Sequence, residues 1–206
     1  MNPNTFPTKG NLILAKNSLA LASQGYELMD KKRNILIREL FDLIDQAKEI
    51  QSEIDQTYAA AYKALQRANI ELGINYVEEI GKSIPVENSV EIKARSIMGT
   101  EIPLVRYVKP EQKLPSYAFY STRESLDQAI EAFNRVKELT IRLAMVETSA
   151  YRLAAGIKKT QKRANALKNI TIPMYTALVR DISNSLEEKD REEFTRLKVI
   201  KRTKSK

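Results

Sequence analysis

The sequence predicts an all-α-dominated fold, in which two long helices form an antiparallel coiled coil and a small β-hairpin is inserted between them. Only 6 of the 206 residues are Gly and 7 are Pro. Apart from Pro173 and two isolated glycines, these helix breakers lie in the first ten residues or between residues 73 and 115. Two long stretches are therefore free of strong breakers. Apolar residues recur every seven positions in both stretches, whereas the segment between them alternates apolar and polar residues.

These patterns divide the chain into four segments that belong to one structural domain. We expect an N-terminal helix at 1–80, a hairpin with its connector at 81–117, a C-terminal helix at 118–197 and a basic tail at 198–206.

The first helix is expected to begin near Thr8, which follows Pro7 and can cap a helix, and to continue to Ile80. Two apolar rows offset by three positions occupy the a and d positions of a coiled coil. The first row is Leu12, Leu19, Tyr26, Arg33, Leu40, Ala47, Ile54, Ala61 and Ala68. The second row is Ala15, Ala22, Met29, Leu36, Leu43, Ile50, Thr57, Ala64 and Glu71.

A β-hairpin is expected between the helices. The run VEIKAR at 90–95 alternates apolar and charged residues, and the run IPLVRYV follows at 102–108. Gly99 and Thr100 would form a two-residue turn with Gly in its first position. Pro103 would restrict the second strand to a sheet edge. Because two strands alone are marginally stable, the hairpin must pack on the helices or on a partner.

The second helix is expected to begin at a capping box formed by Ser121 and Glu124. One of its apolar rows is Ala129, Val136, Leu143, Ala150, Ile157, Ala164, Thr171 and Leu178. The other is Ala132, Leu139, Val146, Leu153, Thr160, Leu167 and Met174. Two apolar rows of similar length in one chain favour antiparallel pairing within the chain, with a parallel homodimer as the alternative.

Matching the ends of the two helices gives an expected register, in which the numbers of facing residues add to about 203. Pro173 would then lie opposite Gly25 to Asp30. Proline removes a backbone hydrogen bond from a helix, so we expect a bend at Pro173. Gly25 would allow a close approach of the two helices.

The net charge of +8 is concentrated in the last quarter of the chain. Between Glu147 and Asp181 there are seven basic residues and no acidic one, and six more basic residues occur from Arg196 to the end. Such stretches suit an acidic partner or simply a solvated helix face. A nucleic acid is a weaker candidate, because no aromatic residue interleaves with the run KKTQKRANALK.

Catalytic and cofactor chemistry finds no support in the sequence. Cysteine and histidine are both absent, which excludes thiol nucleophiles, Cys/His zinc sites and histidine general bases. No phosphate-binding glycine loop occurs. We therefore expect no catalytic residue, no cofactor and no metal site. No apolar run is long enough for a membrane span and no signal-peptide core is present, so a cytoplasmic, soluble protein is expected.

Four blocks of the sequence resemble the D-subunit family of the V-type and A-type rotary ATPases. They are PTKGNLILAKNSL, GYELMDKKRNIL, IKKTQKRANALKNITIP and EEKDREEFTRLKVIKR. The chain departs from the family pattern at Asn34, where an acidic residue is usual, and at Gln161 and Ala164, where a fuller basic run is usual.

The resemblance implies a non-catalytic rotor shaft in the central stalk, peripheral to the membrane. Both termini would enter a hexameric ring of A and B subunits, and the hairpin at the membrane-proximal end would bind the F and C subunits. It implies neither nucleic-acid binding nor membrane insertion. Coiled-coil adaptors of secretion ATPases and nucleic-acid-binding helical arms remain the alternatives.

The expected contact residues fall into two sets. Candidates for the ring are Lys9, Lys16, Lys31, Lys32, Arg33, Lys158, Lys159, Lys162, Arg163, Asn165, Arg196, Lys198, Lys201 and Arg202. Candidates for contact with the F subunit are the hairpin residues Val90, Ile92, Met98, Gly99, Ile102 and Leu104.

Overall fold

A computed structural model describes residues 6–84, 86, 88–108 and 117–204. It confirms the all-α-dominated fold with a small antiparallel hairpin. The elements in chain order are α1 (Lys9–Leu72), α2 (Ile74–Ser83), β1 (Val90–Ile97), β2 (Thr100–Tyr107), a 3₁₀ turn (Phe119–Ser121), α3 (Glu124–Ala166), a π-helical turn (Leu167–Thr171) and α4 (Ile172–Lys204). Three parts of the predicted segments lie outside the described residues: 1–5 of the N-terminal helix, 85, 87 and 109–116 of the hairpin and connector, and 205–206 of the tail.

The chain divides into two compact units. The terminal unit consists of the described parts of Met1–Ile35 and Ile157–Lys206, and the middle unit is the described part of Leu36–Gly156. Within the part of the chain that the structure covers, no helix combines the length and the apolarity needed to cross a membrane.

The helices pair antiparallel in each unit, but the predicted register is wrong. In the terminal unit Arg33 contacts Gln161, and in the middle unit Tyr62 packs edge-on against Phe133. The numbers of these pairs add to 194 and 195 rather than to about 203. The prediction matched the start of the second helix to Ile80, whereas α1 already ends at Leu72 and lies there against the start of α3. The same shift moves Pro173 away from the predicted stretch of Gly25 to Asp30.

The first helix ends at Leu72, eight residues before the predicted end. Gly73 then adopts φ 86°, a left-handed backbone conformation that glycine takes without a steric penalty. The chain continues as the short helix α2, whose Ile80 is buried together with Ala68 and Leu126. Gly73 thus allows the chain to leave α1 and pack α2 against it. At the other end, the Thr8 hydroxyl accepts a hydrogen bond from the Asn11 backbone N–H, which confirms the predicted cap.

The predicted apolar rows are almost all buried or half-buried, and the exceptions are informative. Glu71 ends its row at the surface. Met174 is exposed, whereas Ile182, one position out of the predicted row, is buried. The π-helical turn at Leu167–Thr171 explains this shift, because such a turn adds one residue to the helix and moves every later residue round the axis.

The predicted distortion near Pro173 therefore takes the form of a π turn immediately before the proline. The predicted close approach at Gly25 is not tight. A Cβ atom placed on Gly25 would lie 3.7 Å from Cδ1 of Leu167, an ordinary van der Waals distance.

The hairpin forms where it was predicted, with its turn shifted by one residue. Ile97 pairs with Thr100, so the two turn residues are Met98 and Gly99. Both have positive φ, 48° and 73°, as a type I′ turn requires. The prediction placed Gly first in the turn and did not allow for a methionine in the left-handed region.

Candidate interaction surfaces

The predicted ring contacts lie on the surface of the terminal unit, with two exceptions. Lys32 and Arg33 are half-buried, and the other candidates are exposed. Those exposed residues are Lys9, Lys16, Lys31, Lys158, Lys159, Lys162, Arg163, Asn165, Arg196, Lys198, Lys201 and Arg202. Lys168, a further residue of the acid-free stretch, has its ammonium 5.8 Å from the ring centre of Tyr26, within reach of a cation–π interaction.

Arg33 belongs to a polar network that links the two helices of the terminal unit. Its guanidinium pairs with Asp30 at 2.6 Å and donates to Oδ1 of Asn34 and, at 2.9 Å, to Oε1 of Gln161. Gln161 in turn donates to Asn165. The bond from Arg33 to Gln161 links the two helices, whereas the bond from Gln161 to Asn165 lies within α3.

A row of apolar side chains on the outside of α1 escaped the sequence analysis. Leu14, Leu21, Leu28 and Ile35 are spaced by seven residues and are between 38% and 69% exposed. We call them the outer leucine row. Their spacing of seven is visible in the sequence. The a and d positions were already assigned to the predicted core, however, and no further sequence signal distinguished this third row from ordinary exposed residues.

The end of α4 is a second exposed apolar surface. Every residue from 187 to 204 is exposed, which corresponds to about 27 Å of helix at ~1.5 Å per residue. Four of these residues are large and apolar: Phe194, Leu197, Val199 and Ile200. We call this segment the α4 end. It combines apolar side chains with the basic residues predicted to contact a ring.

In the middle unit the hairpin lies along α3, with β2 next to the helix. The Thr100 hydroxyl oxygen lies 2.8 Å from the position that a Cβ atom would take on Gly156. Further along, Nη1 of Arg152 donates to the Glu101 carbonyl oxygen, and the Val105 backbone N–H donates to Sδ of Met145. The absence of a side chain at Gly156 therefore makes room for the hairpin turn.

The hairpin candidates for partner binding are mostly at the surface. Gly99 is exposed in the turn, and Val90, Ile92, Met98 and Leu104 are also exposed. Ile102 is only 8% exposed, so it supports the hairpin from inside and is not available to a partner.

Side-chain hydrogen bonds fix the start of α3 in the middle unit. The Ser125 hydroxyl donates to the Glu71 carboxylate at 2.7 Å, which ties the start of α3 to the end of α1. The Tyr117 hydroxyl donates to the Asp127 carboxylate. Burial, together with this hydrogen bond, raises the pKa of Tyr117 to about 12.

Comparison with known proteins identifies the family. The family model for the D subunit of ATP synthase matches residues 11–202. The chain belongs to the ATP synthase D-subunit family. It is 45% identical over 195 residues to the V-type ATP synthase D subunit of Thermotoga neapolitana, covering 95% of this chain and 96% of that protein. It is 38% identical over 200 residues to the A-type ATP synthase D subunit of Thermococcus kodakarensis, covering 96% and 94% of the two chains.

Two of the three residues at which the sequence was expected to depart from the family pattern fall in one network. Asn34 and Gln161 both accept hydrogen bonds from Arg33. An acidic residue at 34 and a basic residue at 161 would carry opposite charges on either side of this arginine, whereas here both are neutral amides. The polar link between the helices is therefore kept without those two charges.

Proposed function

We propose that this chain is the non-catalytic central-stalk subunit, the rotor shaft, of a V/A-type rotary ATPase. In this role its terminal unit sits in the ring of A and B subunits and its middle unit faces the membrane. It couples ATP hydrolysis or synthesis in the ring to ion movement through the membrane part. The observation that carries the proposal is the D-subunit family match across nearly the whole chain, combined with the exposed apolar and basic surface of the terminal unit.

The α4 end has the composition of a surface that another protein covers. Exposed apolar side chains scattered singly are ordinary, but a cluster of large ones is typical of a protein–protein contact. Phe194, Leu197, Val199 and Ile200 lie within seven residues. The sequence contains no acidic residue after Glu193, so the basic side chains around these apolar residues suit an acidic rim on the ring.

The outer leucine row is a second exposed apolar surface of the terminal unit, on α1. Its four side chains leave apolar area open on one helix while the a and d rows bury the opposite side. Burying an exposed leucine is worth about 1.5–3 kcal/mol, so even partial burial of the row against a ring would add to affinity. The Arg33 network would then keep the helices in register beneath the contact.

Coupling follows from the asymmetry of such a shaft inside a ring of three equivalent catalytic interfaces. Each interface would meet different side chains, so its open and closed conformations would be stabilised to different extents. The terminal unit supplies this asymmetry in two ways. The outer leucine row lies on α1 alone, and the π turn displaces the side chains of α4 round their axis.

The middle unit is the candidate for binding the F and C subunits. Its hairpin exposes Val90, Ile92, Met98 and Leu104, and Ile70 and Ile74 are exposed on either side of the break at Gly73. In this proposal the chain is a cytoplasmic protein held at the membrane by the complex. Family membership favours this function over a secretion-ATPase adaptor or a nucleic-acid-binding arm.

The test is reconstitution with purified A and B subunits. The double variant Leu197→Ser, Ile200→Ser should fold normally and bind the ring at least ~10-fold more weakly, since each exposed apolar contact contributes on the order of 1 kcal/mol. The matched control is Ile70→Ser, Ile74→Ser, which removes two equally apolar side chains from the middle unit and should leave ring binding unchanged. Equal ring binding by wild type and both double variants would contradict the placement of the α4 end.

A further inference from the structure

The two strands of the hairpin differ in what covers their outer edges. Antiparallel pairs alternate between residues that bond to each other and residues whose N–H and C=O groups point outward. The bond from the Val108 N–H to the Ser89 carbonyl oxygen fixes this alternation. Given the register, the outward-facing residues are Val90, Ile92, Ala94 and Ser96 on β1, and Glu101, Pro103, Val105 and Tyr107 on β2.

The outer edge of β2 is closed by α3. Its Glu101 carbonyl accepts a hydrogen bond from Arg152, and its Val105 N–H donates to Met145. Pro103 has no N–H to satisfy, so its place at an outward position costs no ladder bond. At the centre of this edge, the Glu101 carbonyl and the Val105 N–H are thus engaged by α3, and position 103 offers no N–H.

The outer edge of β1 is open. Residues 90 to 96 are all exposed, and Ile92 is 73% exposed. Within the described residues, no hydrogen bond reaches the outward N–H and C=O groups of Ile92, Ala94 or Ser96. An eight-residue strand with such an edge is long enough to template a further strand.

We propose that β1 binds an extended segment of a partner protein as a third, antiparallel strand, and that this segment alternates acidic and β-branched residues. The inference goes beyond the proposed function, because it concerns the backbone of β1 and holds whichever protein supplies the strand. Backbone hydrogen bonds would give affinity, and the side chains of β1 would give specificity.

The side chains of β1 determine the chemistry of the partner. Glu91, Lys93 and Arg95 project from one face of the hairpin, and the register places Arg106 on the same face. That face carries three basic groups and one acidic group, so a partner strand with acidic residues opposite Lys93 and Arg95 would be favoured. The other face presents Val90, Ile92 and Ala94, which suit β-branched side chains.

A second copy of this chain fits the same edge less well than a strand that places acidic residues opposite both Lys93 and Arg95. The self-pairings with the longest overlap are centred on Lys93 or on Ala94. The first places Lys93 opposite its own copy, with Glu91 opposite Arg95 on each side of it. The second places Lys93 opposite Arg95 twice. Like charges directly opposite one another destabilise a strand pair, and lysine on an edge strand is a common protection against self-association.

The experiment measures binding of a synthetic peptide to the full chain by fluorescence anisotropy. The probe is fluorescein-labelled Thr-Val-Glu-Val-Glu-Val-Lys-Val, which places glutamates opposite Arg95 and Lys93. We expect saturable binding with a Kd below about 1 mM, a range accessible to anisotropy. The charge-inverted peptide, with lysine and glutamate exchanged, should bind at least ~10-fold more weakly.

Two pairs of variants separate the backbone from the side chains. Ser96→Pro and Ile92→Pro remove an outward N–H without breaking a bond between β1 and β2, and should weaken binding at least ~10-fold. Ser96→Ala and Ile92→Ala keep the N–H and should stay within about threefold. Slow hydrogen exchange at the inward N–H groups of Lys93 and Arg95 in the proline variants would show that the hairpin persists.

A backbone-modified probe tests the same bonds without altering the protein. N-methylation of the peptide on the edge that faces β1 should abolish binding, and N-methylation on the other edge should not. Equal binding of both methylated peptides, or of the Pro and Ala variants, would overturn the proposal. Equal binding of the charge-inverted peptide would also overturn it. A dimer of the chain that dissociates in the Ser96→Pro variant would overturn it as well, because the strand that pairs with β1 would then come from a second copy.

Discussion

The two units of this molecule differ in how they cover the apolar surface that a helix pair leaves open. A two-helix coiled coil buries only its a and d rows. In the middle unit further elements pack on the helices: α2 covers Ala68 and Leu126, and β2 lies along α3. In the terminal unit the outer leucine row and the α4 end stay exposed. The middle unit thus covers part of its helix surface with its own elements, although Ile70, Ile74 and Ile92 stay exposed there. We propose that a partner covers the exposed apolar side chains of the terminal unit.

The largest effect we expect is on stability, and it compares a buried residue with an exposed residue of the outer leucine row. Leu36→Ala removes a completely buried side chain and should lower the free energy of unfolding by about 2–5 kcal/mol. Leu28→Ala, in the outer leucine row, should change it by less than about 0.5 kcal/mol. Urea denaturation of both variants measures the contrast. A similar loss of stability in both would mean that the outer leucine row packs within the chain.

The next effect concerns the charges of the terminal unit. Replacing Lys158, Lys159, Lys162 and Arg163 with Gln should weaken binding to the A/B ring by about 10-fold at low salt and make it less sensitive to salt. The control replaces four exposed basic residues of the middle unit: Lys63, Arg67, Arg123 and Arg142. The affinity of each variant for the ring, measured as a function of salt concentration, should distinguish the two sets. If both variants gave the same curve, Lys158, Lys159, Lys162 and Arg163 would belong to a solvated helix face and not to the ring contact.

A smaller effect tests how the hairpin is seated in the middle unit. Gly156→Ala places a methyl group against Thr100 and should loosen the turn, which hydrogen exchange at residues 97–102 would report as a several-fold acceleration. Adding Thr100→Ala should restore slow exchange by making room. Gly81→Ala is the control, since a Cβ atom there meets nothing within 4 Å, and it should stabilise α2 by about 0.5–1 kcal/mol. Unchanged exchange in Gly156→Ala would show that the contact does not hold the turn.

The smallest effect is a pH dependence confined to the middle unit. The folded state raises the pKa of Tyr117 to about 12, above the value of about 10 for an unperturbed tyrosine. The fold therefore favours the neutral phenol, so its contribution to stability is complete below about pH 10 and is lost as the pH rises toward 12. Tyr117→Phe should lose less stability than the wild type over that interval. Chemical denaturation measures this difference. An equal loss in the free energy of unfolding of the wild type and of Tyr117→Phe over that interval would contradict this role for Tyr117.

The sequence was sufficient to predict the elements that depend on local periodicity. The apolar rows, the cap at Thr8 and the hairpin all follow from spacing and side-chain chemistry, and the structure confirms them. The register was not predictable in this way, because it depends on where the chain leaves α1. A glycine at position 73 is compatible with a continuing helix, and only the packing of Ile80 against Ala68 and Leu126 shows that the chain turns there.

Single-residue shifts account for most of the remaining differences. The π turn before Pro173 adds one residue to the helix, so Met174 of the predicted row is exposed and Ile182, which was in neither predicted row, is buried. The hairpin turn moved by one residue because Met98 adopts a positive φ that side chains rarely take. The candidate surfaces were predicted from charge and from the family resemblance. The outer leucine row and the open edge of β1 became visible only with burial and strand pairing.

Hydrogen exchange of the full chain, measured alone and in complex with the A/B ring, tests the central claim most directly. We expect protection on binding at residues 187–204 and along the outer leucine row, and no change at residues 90–107 of the hairpin. Protection confined to the hairpin, with the α4 end exchanging as fast as in the isolated chain, would contradict the assignment of the terminal unit to the ring.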